Sequence, residues 1–125
     1  MQTPILLLNF NRPHYTAGLI ANLALIKPQN IYVSIDGPRP GNEEDASNCR
    51  VVEECLSQIT WNANVKLLKR TSNVGLRQNV KESIDWLFSE NDAGIILEDD
   101  VRFEADLIQY FTDTLSQHPG DERIG

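Results

Sequence analysis

The chain has 125 residues and a formal net charge of -7, with 11 Lys and Arg against 18 Asp and Glu. Hydrophobic residues make up 41% and charged residues 23%, a globular balance that excludes a disordered chain, a collagen and a small disulfide scaffold. No apolar run approaches the roughly 20 residues that span a bilayer. The acidic balance argues against a nucleic-acid partner, because such binding depends on clustered Lys and Arg.

Strand and helix patterns alternate along the chain, which predicts a single α/β domain over residues 1–125. In chain order, we predict a strand at Ile5–Phe10, a helix over His14–Ile26, a strand at Ile31–Ile35, a helical face from Val51 to Ile59, a strand at Val65–Lys69, a helical face from Leu76 to Phe88, a strand at Ala93–Leu97 and a helical face from Leu107 to Leu115. This alternation predicts a three-layer α/β/α fold whose mainly parallel sheet is covered on both faces.

The two cysteines, Cys49 and Cys55, lie six residues apart on the second predicted helix. Six helical residues rise about 9 Å and turn the two side chains to different faces, so these thiols cannot pair with each other. The N-terminus carries neither the positive n-region nor the long apolar h-region of a signal peptide. We therefore expect free structural thiols and a cytoplasmic protein, with peripheral attachment to a membrane left open.

Polar residues follow three of the predicted strands. In open α/β sheets, ligands bind beyond the carboxyl ends of the strands, at the point where the strand order reverses. If the order is 3-2-1-4, that point lies between strands one and four, where residues 9–12 and 98–100 follow the strands. Asp36, at the end of strand two, would lie beside them, so the sequence predicts a ligand site at this edge.

The triplet Glu98-Asp99-Asp100 ends the fourth predicted strand. In an extended backbone Glu98 and Asp100 face one way and Asp99 the other. Carboxylate oxygens suit Mg²⁺ and Mn²⁺, which commonly use one or two carboxylates together with substrate phosphates. A divalent ion would relieve the repulsion among the carboxylates. The alternative interpretation is a solvated acidic loop that caps the following helix.

Three further positions have two interpretations each. Asn73-Val74-Gly75 suits a tight turn into a helix, from which Arg77 would reach a phosphate, or it is an ordinary cap followed by a surface Arg. Arg12 would stack on a base or contact phosphate, or it lies on the surface. Asp36 would accept a hydrogen bond from a base N–H, or it starts an Asp-Gly turn.

Several common motifs are absent from the sequence. No G-x-G-x-x-G follows strand one, and neither a G-x-x-x-x-G-K-[ST] loop nor a G-x-S-x-G elbow occurs. Their absence argues against a dinucleotide-binding fold, a P-loop NTPase and an α/β-hydrolase.

Four segments in chain order resemble those of GT-A glycosyltransferases, and the resemblance covers nearly the whole chain. Asn9-Phe10-Asn11-Arg12-Pro13 is similar to the opening of family 2 enzymes, and Ser34-Ile35-Asp36-Gly37 to their acidic turn after strand two. Asn73-Val74-Gly75 with Arg77 and Asn79 is similar to the family's N-x-G…R-N segment. Ile96-Leu97-Glu98-Asp99-Asp100 is similar to the D-x-D element, in the E-D-D spelling of N-acetylglucosaminyltransferase I.

The resemblance implies a donor site for a nucleotide-diphosphate sugar, with a UDP-sugar as the expected donor. It implies nucleotide contacts from seven residues, which are Asn9, Asn11, Arg12, Asp36, Arg77, Glu98 and Asp99. It also implies that Asp100 coordinates Mn²⁺ or Mg²⁺, which would neutralise the leaving diphosphate. Residues beyond 125 would bind the acceptor, which is a glycan, a lipid or a protein. They would also supply the carboxylate base. The chain would then be the N-terminal, donor-binding part of such an enzyme.

Other classes of function compete with a glycosyltransferase. The first is a non-catalytic module that binds a nucleotide sugar or a protein. A Mg²⁺-dependent phosphotransfer domain would carry its key Asp after strand one, but Asn9 and Asn11 occupy those positions. A sugar nucleotidyltransferase would carry a Gly-rich loop there, which this sequence lacks. Both classes are therefore disfavoured. An open sheet edge beside strand four would in addition predict self-association with a second copy of the chain.

Overall fold

The computed structural model describes residues 3–103, and in this range the chain forms a parallel sheet. Its strands are β1 (Ile5–Asn9), β2 (Asn30–Ile35), β3 (Asn64–Lys69) and β4 (Ile95–Glu98). They pair in parallel in the order β3-β2-β1-β4, which confirms the predicted order. The result is an α/β sheet compatible with a Rossmann-like fold.

Three α-helices connect the strands in the described range: α1 (Pro13–Leu23), α2 (Glu43–Glu54) and α3 (Leu76–Glu90). Helix α1 ends earlier than predicted because the N–H groups of Leu25 and Ile26 bond to the carbonyls three residues before them, at 3.2 and 3.0 Å, and Lys27 then leaves the turn with a left-handed backbone (φ 50°). The helical face predicted to reach Ile59 is also shorter, since α2 tightens into a 3₁₀ turn at Cys55–Gln58. The predicted fourth helix, from Leu107 to Leu115, lies outside the described residues.

The helices begin at residues that suit helix starts. Pro13 occupies the first position of α1, where its fixed φ and missing N–H cost nothing. Asn42 caps α2, because its side-chain oxygen accepts the Asp45 N–H at 2.8 Å. The first turn of α2 is acidic, which favours the positive end of the helix dipole.

Alternate residues of β1 enter two apolar clusters, so the strand is buried on both faces. Ile5 and Leu7 belong to the cluster that contains Leu19 of α1, whereas Leu6 belongs to the cluster that contains Leu87 of α3. All five side chains are fully buried. This is the environment that the uninterrupted apolar run of β1 predicts.

Strands β3 and β4 border the described sheet. On β3, Val65 and Leu67 are 38% and 42% exposed, and Lys66 and Lys69 lie between and beyond them. Lysines on a border strand hinder edge-to-edge pairing with another chain. Within residues 3–103, β4 pairs with β1 alone, so the open edge predicted beside the fourth strand is present in the described part of the chain.

The segment after β4 returns across α1. The Asn22 side chain donates to the Phe103 carbonyl at 3.0 Å and accepts the Phe103 N–H at 3.0 Å. Arg102 lies against Gly18 and donates to the Tyr15 carbonyl at 3.0 Å. These contacts attach the end of β4 to the first helix.

Cys49 and Cys55 are both buried and free, as predicted. Burial raises the pKa of both thiols above the ordinary cysteine value, which keeps them in the unreactive protonated form. Their sulfurs donate to the carbonyls of Asp36 and Pro13, each at 3.6 Å. The two cysteines therefore pack α2 and the 3₁₀ turn against neighbouring loops. No helix in the described range has the length and apolarity needed to cross a membrane.

Candidate functional site

A cavity of about 250 Å³ opens at the carboxyl ends of β1, β2 and β4. This volume is below the 300–1,000 Å³ of a typical small-molecule pocket, so the cavity suits a small molecule or one part of a larger one. Its walls come from the end of β1, the loop after β2, the entry to α3 and the end of β4. The lining residues are Leu8, Asn9, Phe10, Arg12, Asp36, Arg39, Asn73, Gly75, Leu76, Asn79, Val80, Glu98 and Asp99.

The structure brings most of the predicted site residues to this one cavity. The predicted nucleotide contacts that line it are Asn9, Arg12, Asp36, Glu98 and Asp99. The other predicted residues lie outside the lining. Asn11 donates to Asp45 at 2.8 Å, Arg77 is exposed on the first turn of α3, and Asp100 is exposed just after β4.

Asp36, at the end of β2, holds the loop that enters α3. One carboxylate oxygen accepts the N–H groups of Gly37 at 2.8 Å and Val74 at 3.0 Å. The other accepts the Gly75 N–H at 3.2 Å and the Asn73 amide at 3.1 Å. A carboxylate offers about four acceptor positions, and protein donors fill them here. Asp36 therefore fixes the loop that forms one wall of the cavity.

The Asn9 side chain connects β1, β2 and α1 next to the cavity. Its amide nitrogen donates to the Ser34 carbonyl at 3.3 Å, and its oxygen accepts the Thr16 hydroxyl at 3.2 Å. The side chain is buried, and both of its polar atoms face protein. Asn9 thus joins the ends of β1 and β2 to α1.

An ion pair between Arg12 and Asp99 crosses from the loop after β1 to the turn after β4. The Asp99 side chain is 3% exposed and that of Arg12 is 46% exposed. Burial raises the pKa of the Asp99 carboxyl above its ordinary value, while the Arg12 charge acts in the opposite direction. Arg12 also lies over the Tyr15 ring at 4.9 Å. The guanidinium is thus held at the cavity wall with part of its surface open to an anion.

The acidic triplet divides by burial, although β4 ends at Glu98 and the two Asp residues lie in the following turn rather than in the predicted extended backbone. Asp99 is buried, whereas Glu98 and Asp100 are exposed. Among residues 3–103, no group of three or more His, Cys, Asp or Glu side chains is close enough to hold a metal ion by itself. The exposed carboxylates of Glu98 and Asp100 are the groups at this edge that could each serve as one ligand of a divalent cation.

Arg39 is a cavity-lining cation that the sequence interpretation missed. Asp45 of α2 holds it in a bidentate pair, with Nε at 2.6 Å and Nη2 at 2.9 Å from the two carboxylate oxygens. This pair, together with donation from Asn11, holds the pKa of Asp45 far below its ordinary value. The signal was weak, because Arg39 lies between two prolines in a loop without periodicity.

The depressed pKa of Asp45 makes the protein more stable at neutral pH than in acid. A carboxyl with a lowered folded-state pKa stabilises the fold above its unfolded pKa of about 3.9, and this contribution is lost as the pH falls. We expect the free energy of unfolding to fall between pH 6 and pH 3, and to fall less in Asp45→Asn. Urea unfolding across this pH range measures both slopes. Asp85→Asn, at an exposed carboxylate on α3, should keep the wild-type slope, and an unchanged slope in Asp45→Asn would contradict the assignment.

Asn79 of α3 is a buried member of the cavity lining, and polar neighbours behind it hold its side chain. The Asn79 side-chain oxygen accepts the Arg70 Nε–H at 2.9 Å and the Ser34 hydroxyl at 3.3 Å. Ser34 in turn lies 2.6 Å from the Ser83 hydroxyl. The resemblance included Asn79 but gave it no role. Asn79 and Ser83 are polar residues four apart on the buried side of a helix, and that position was the available signal.

The rest of the cavity wall is apolar. Leu8 and Phe10 contribute from the β1 side, and Leu76 and Val80 contribute from α3. Leu76 is 74% exposed at the first position of α3, although it is a large apolar residue. The cavity therefore combines apolar lining residues with a few polar ones, as small-molecule pockets do.

Comparison of the chain with protein-family models, with curated protein sequences and with solved structures finds no match.

Proposed function

We propose that this chain is the donor-binding part of a GT-A glycosyltransferase, which binds a nucleotide-diphosphate sugar, such as a UDP-sugar, together with a divalent metal. The observation that carries the proposal is the meeting of Arg12, Asp36, Glu98 and Asp99 at one cavity beside the strand-order reversal. These four residues come from three separate sequence segments, and their convergence supports a shared ligand.

The charges around the cavity suit a nucleoside diphosphate. Arg12 is half exposed and can contact a phosphate, and Asp100, an exposed carboxylate just after β4, can hold Mn²⁺ or Mg²⁺. The bound metal would neutralise the leaving diphosphate. The apolar wall made by Phe10 and Val80 suits a base or a sugar ring.

The proposal includes the finer architecture of this family. It takes the sheet as the centre of a three-layer α/β/α arrangement, and the two apolar clusters against α1 and α3 support this. The proposal assigns neither the acceptor site nor the catalytic base to the described residues. The free thiols of Cys49 and Cys55 support a cytoplasmic location.

We expect the chain to bind UDP in the presence of Mn²⁺ or Mg²⁺, and Asp100→Ala to weaken this binding by about tenfold or more. The reason is that Asp100 would hold the metal, and the metal would supply positive charge that stabilises the bound diphosphate. Isothermal calorimetry of the wild-type chain with and without EDTA measures the metal requirement. The same titration of Asp100→Ala with metal present measures the loss of affinity. Asp92→Ala removes an exposed carboxylate before β4 and should leave the affinity unchanged.

The remaining outcomes separate the glycosyltransferase from its alternative. If the chain binds none of UDP, GDP and TDP in the presence of metal, the proposal of a donor site is contradicted. If UDP binds but a UDP-sugar is neither hydrolysed nor transferred by the chain, the non-catalytic nucleotide-sugar module is favoured.

A further inference from the structure

A single buried carboxylate holds Arg39 at the cavity. The backbone N–H of Arg39 donates to Asp45 at 3.1 Å, and the Nε–Nη2 edge of its guanidinium donates to the same carboxylate at 2.6 and 2.9 Å. The Asp45 side chain is 2% exposed and also accepts the Asn11 amide at 2.8 Å. The guanidinium lies over the Phe10 ring, 5.8 Å from its centre. These contacts set the position of Arg39 before any ligand binds.

A second edge of the Arg39 guanidinium remains open. A guanidinium carries five N–H donors, and Asp45 occupies those of the Nε–Nη2 edge. Within residues 3–103 no protein acceptor contacts Nη1, so the Nη1–Nη2 edge keeps donors for another group. The Arg39 side chain is 56% exposed and lines the cavity, whereas Asp45 does not line it. A ligand in the cavity therefore meets the guanidinium rather than its counter-ion.

Arg12 is fixed at the same cavity by contacts of the same kind. Its guanidinium pairs with Asp99, whose side chain is 3% exposed, and lies 4.9 Å from the centre of the Tyr15 ring. Among residues 3–103, Arg12 and Arg39 are the two cations that line the cavity. Holding a long side chain in one rotamer costs conformational entropy, and the fold has ordered both arginines already. Two ordered guanidiniums are typical of a site for a phosphate or a carboxylate.

The carboxylates that line the cavity leave the Arg39 edge unopposed. Asp36 accepts four protein donors, and Asp99 is paired with Arg12. The exposed lining carboxylate is Glu98 at the end of β4, whereas Arg39 follows β2. Because β1 lies between these strands, their ends are two strand spacings apart, about 10 Å. An anion beside Arg39 therefore does not have to contact Glu98.

We infer that Arg39 binds the diphosphate of the nucleotide through its Nη1–Nη2 edge and that Asp45 is its positioning residue, an inference that rests on the proposed function. Phosphate oxygens only accept hydrogen bonds, and a planar guanidinium edge donates two of them in parallel. A nucleoside without phosphate is uncharged and gains no charge-assisted hydrogen bond from Arg39. Arg39 thereby favours the nucleoside diphosphate over the nucleoside.

Binding of UDP and of uridine to Arg39→Gln tests the inference, because the two ligands differ only in the diphosphate. With Mn²⁺ present, we expect the affinity for UDP to fall about 10- to 100-fold and that for uridine to change by less than about twofold. Arg39→Lys keeps the charge without the planar edge, so its affinity for UDP should be intermediate. Added NaCl should weaken UDP binding to the wild type more than to Arg39→Gln, since Gln lacks the charge that salt screens. Calorimetry measures UDP binding, an NMR titration measures uridine binding, and thermal unfolding checks that each variant folds.

Arg50→Gln is the matched control, because it makes the same change at an exposed arginine of α2 that does not line the cavity. It should bind both ligands as the wild type does. If Arg39→Gln loses affinity for UDP and uridine equally, Arg39 only supports the cavity wall and the inference is overturned. Unchanged UDP affinity, or unchanged salt dependence, in Arg39→Gln overturns it as well, and in each case the donor site stands. If the wild type binds none of UDP, GDP and TDP, the proposed function fails, and the role of Arg39 fails with it.

Discussion

Asp36→Ala is expected to lower the free energy of unfolding by about 3–5 kcal/mol, the range for loss of a buried polar network. The substitution removes the acceptor of four hydrogen bonds and leaves the N–H groups of Gly37, Val74 and Gly75 without their partner. Each hydrogen bond to a charged acceptor contributes about 1.5–3 kcal/mol, but the loop can regain water, so the sum is smaller than four such terms. Urea unfolding measures the loss.

The same substitution should also open the cavity. Hydrogen exchange at the Val74 and Gly75 amides should accelerate strongly in Asp36→Ala, because Asp36 accepts both N–H groups in the folded state. Asp36→Asn, which keeps one acceptor oxygen, should lie between the wild type and Asp36→Ala in both measurements. A change in stability within about 0.5 kcal/mol, the scale of ordinary surface substitutions, would show that the loop is held by something else.

Leu7→Ala is expected to lower the free energy of unfolding by about 3–4 kcal/mol, within the range for a buried Leu that leaves a cavity. Leu7 is fully buried at the centre of the sheet, between Val33 of β2 and Leu97 of β4. Strands on both sides restrict collapse around the missing atoms. Urea unfolding at neutral pH measures the difference.

Leu25→Ala provides the comparison, because Leu25 is 68% exposed just after α1. The residue change is identical and the burial is opposite. We expect this variant to stay within about 0.5 kcal/mol of the wild type. Equal losses in the two variants would contradict the burial of β1 at the centre of the sheet.

The main features of the fold follow from the sequence because burial imposes periodicity. The apolar run that begins at Ile5 is a strand with neighbours on both faces, and the helical spacing from Leu76 to Phe88 is one helix. Element ends were less accurate. Glu98 remains in β4 because it pairs with Leu8, although a charged residue is untypical of a strand. The left-handed turn at Lys27 has no sequence signal, since Gly or Asn is the usual residue there.

The positions of site residues that directly follow strands were predictable from the sequence. The hydrogen-bond and ion-pair partners of the side chains were less predictable. Strand order brings Arg12 and Asp99 to one edge, and that placement was anticipated. The partner of Asn11 was not, because its contact with Asp45 joins segments 34 residues apart. The same applies to Arg39, whose orientation depends on the carboxylate that α2 presents.

The position of β4 as the last strand of the described chain affects the order in which the protein folds during synthesis. During synthesis the first three strands and the three helices leave the ribosome before β4, so the sheet can assemble around β1 while the cavity still lacks Glu98 and Asp99. The site is then completed by a four-residue strand at the border of the described sheet, fastened to α1 through Asn22 and Phe103. A ligand that contacts residues on both sides of the cavity would stabilise the pairing of β4 with the rest of the sheet. It would slow exchange at the β4 amides more than at the β2 amides.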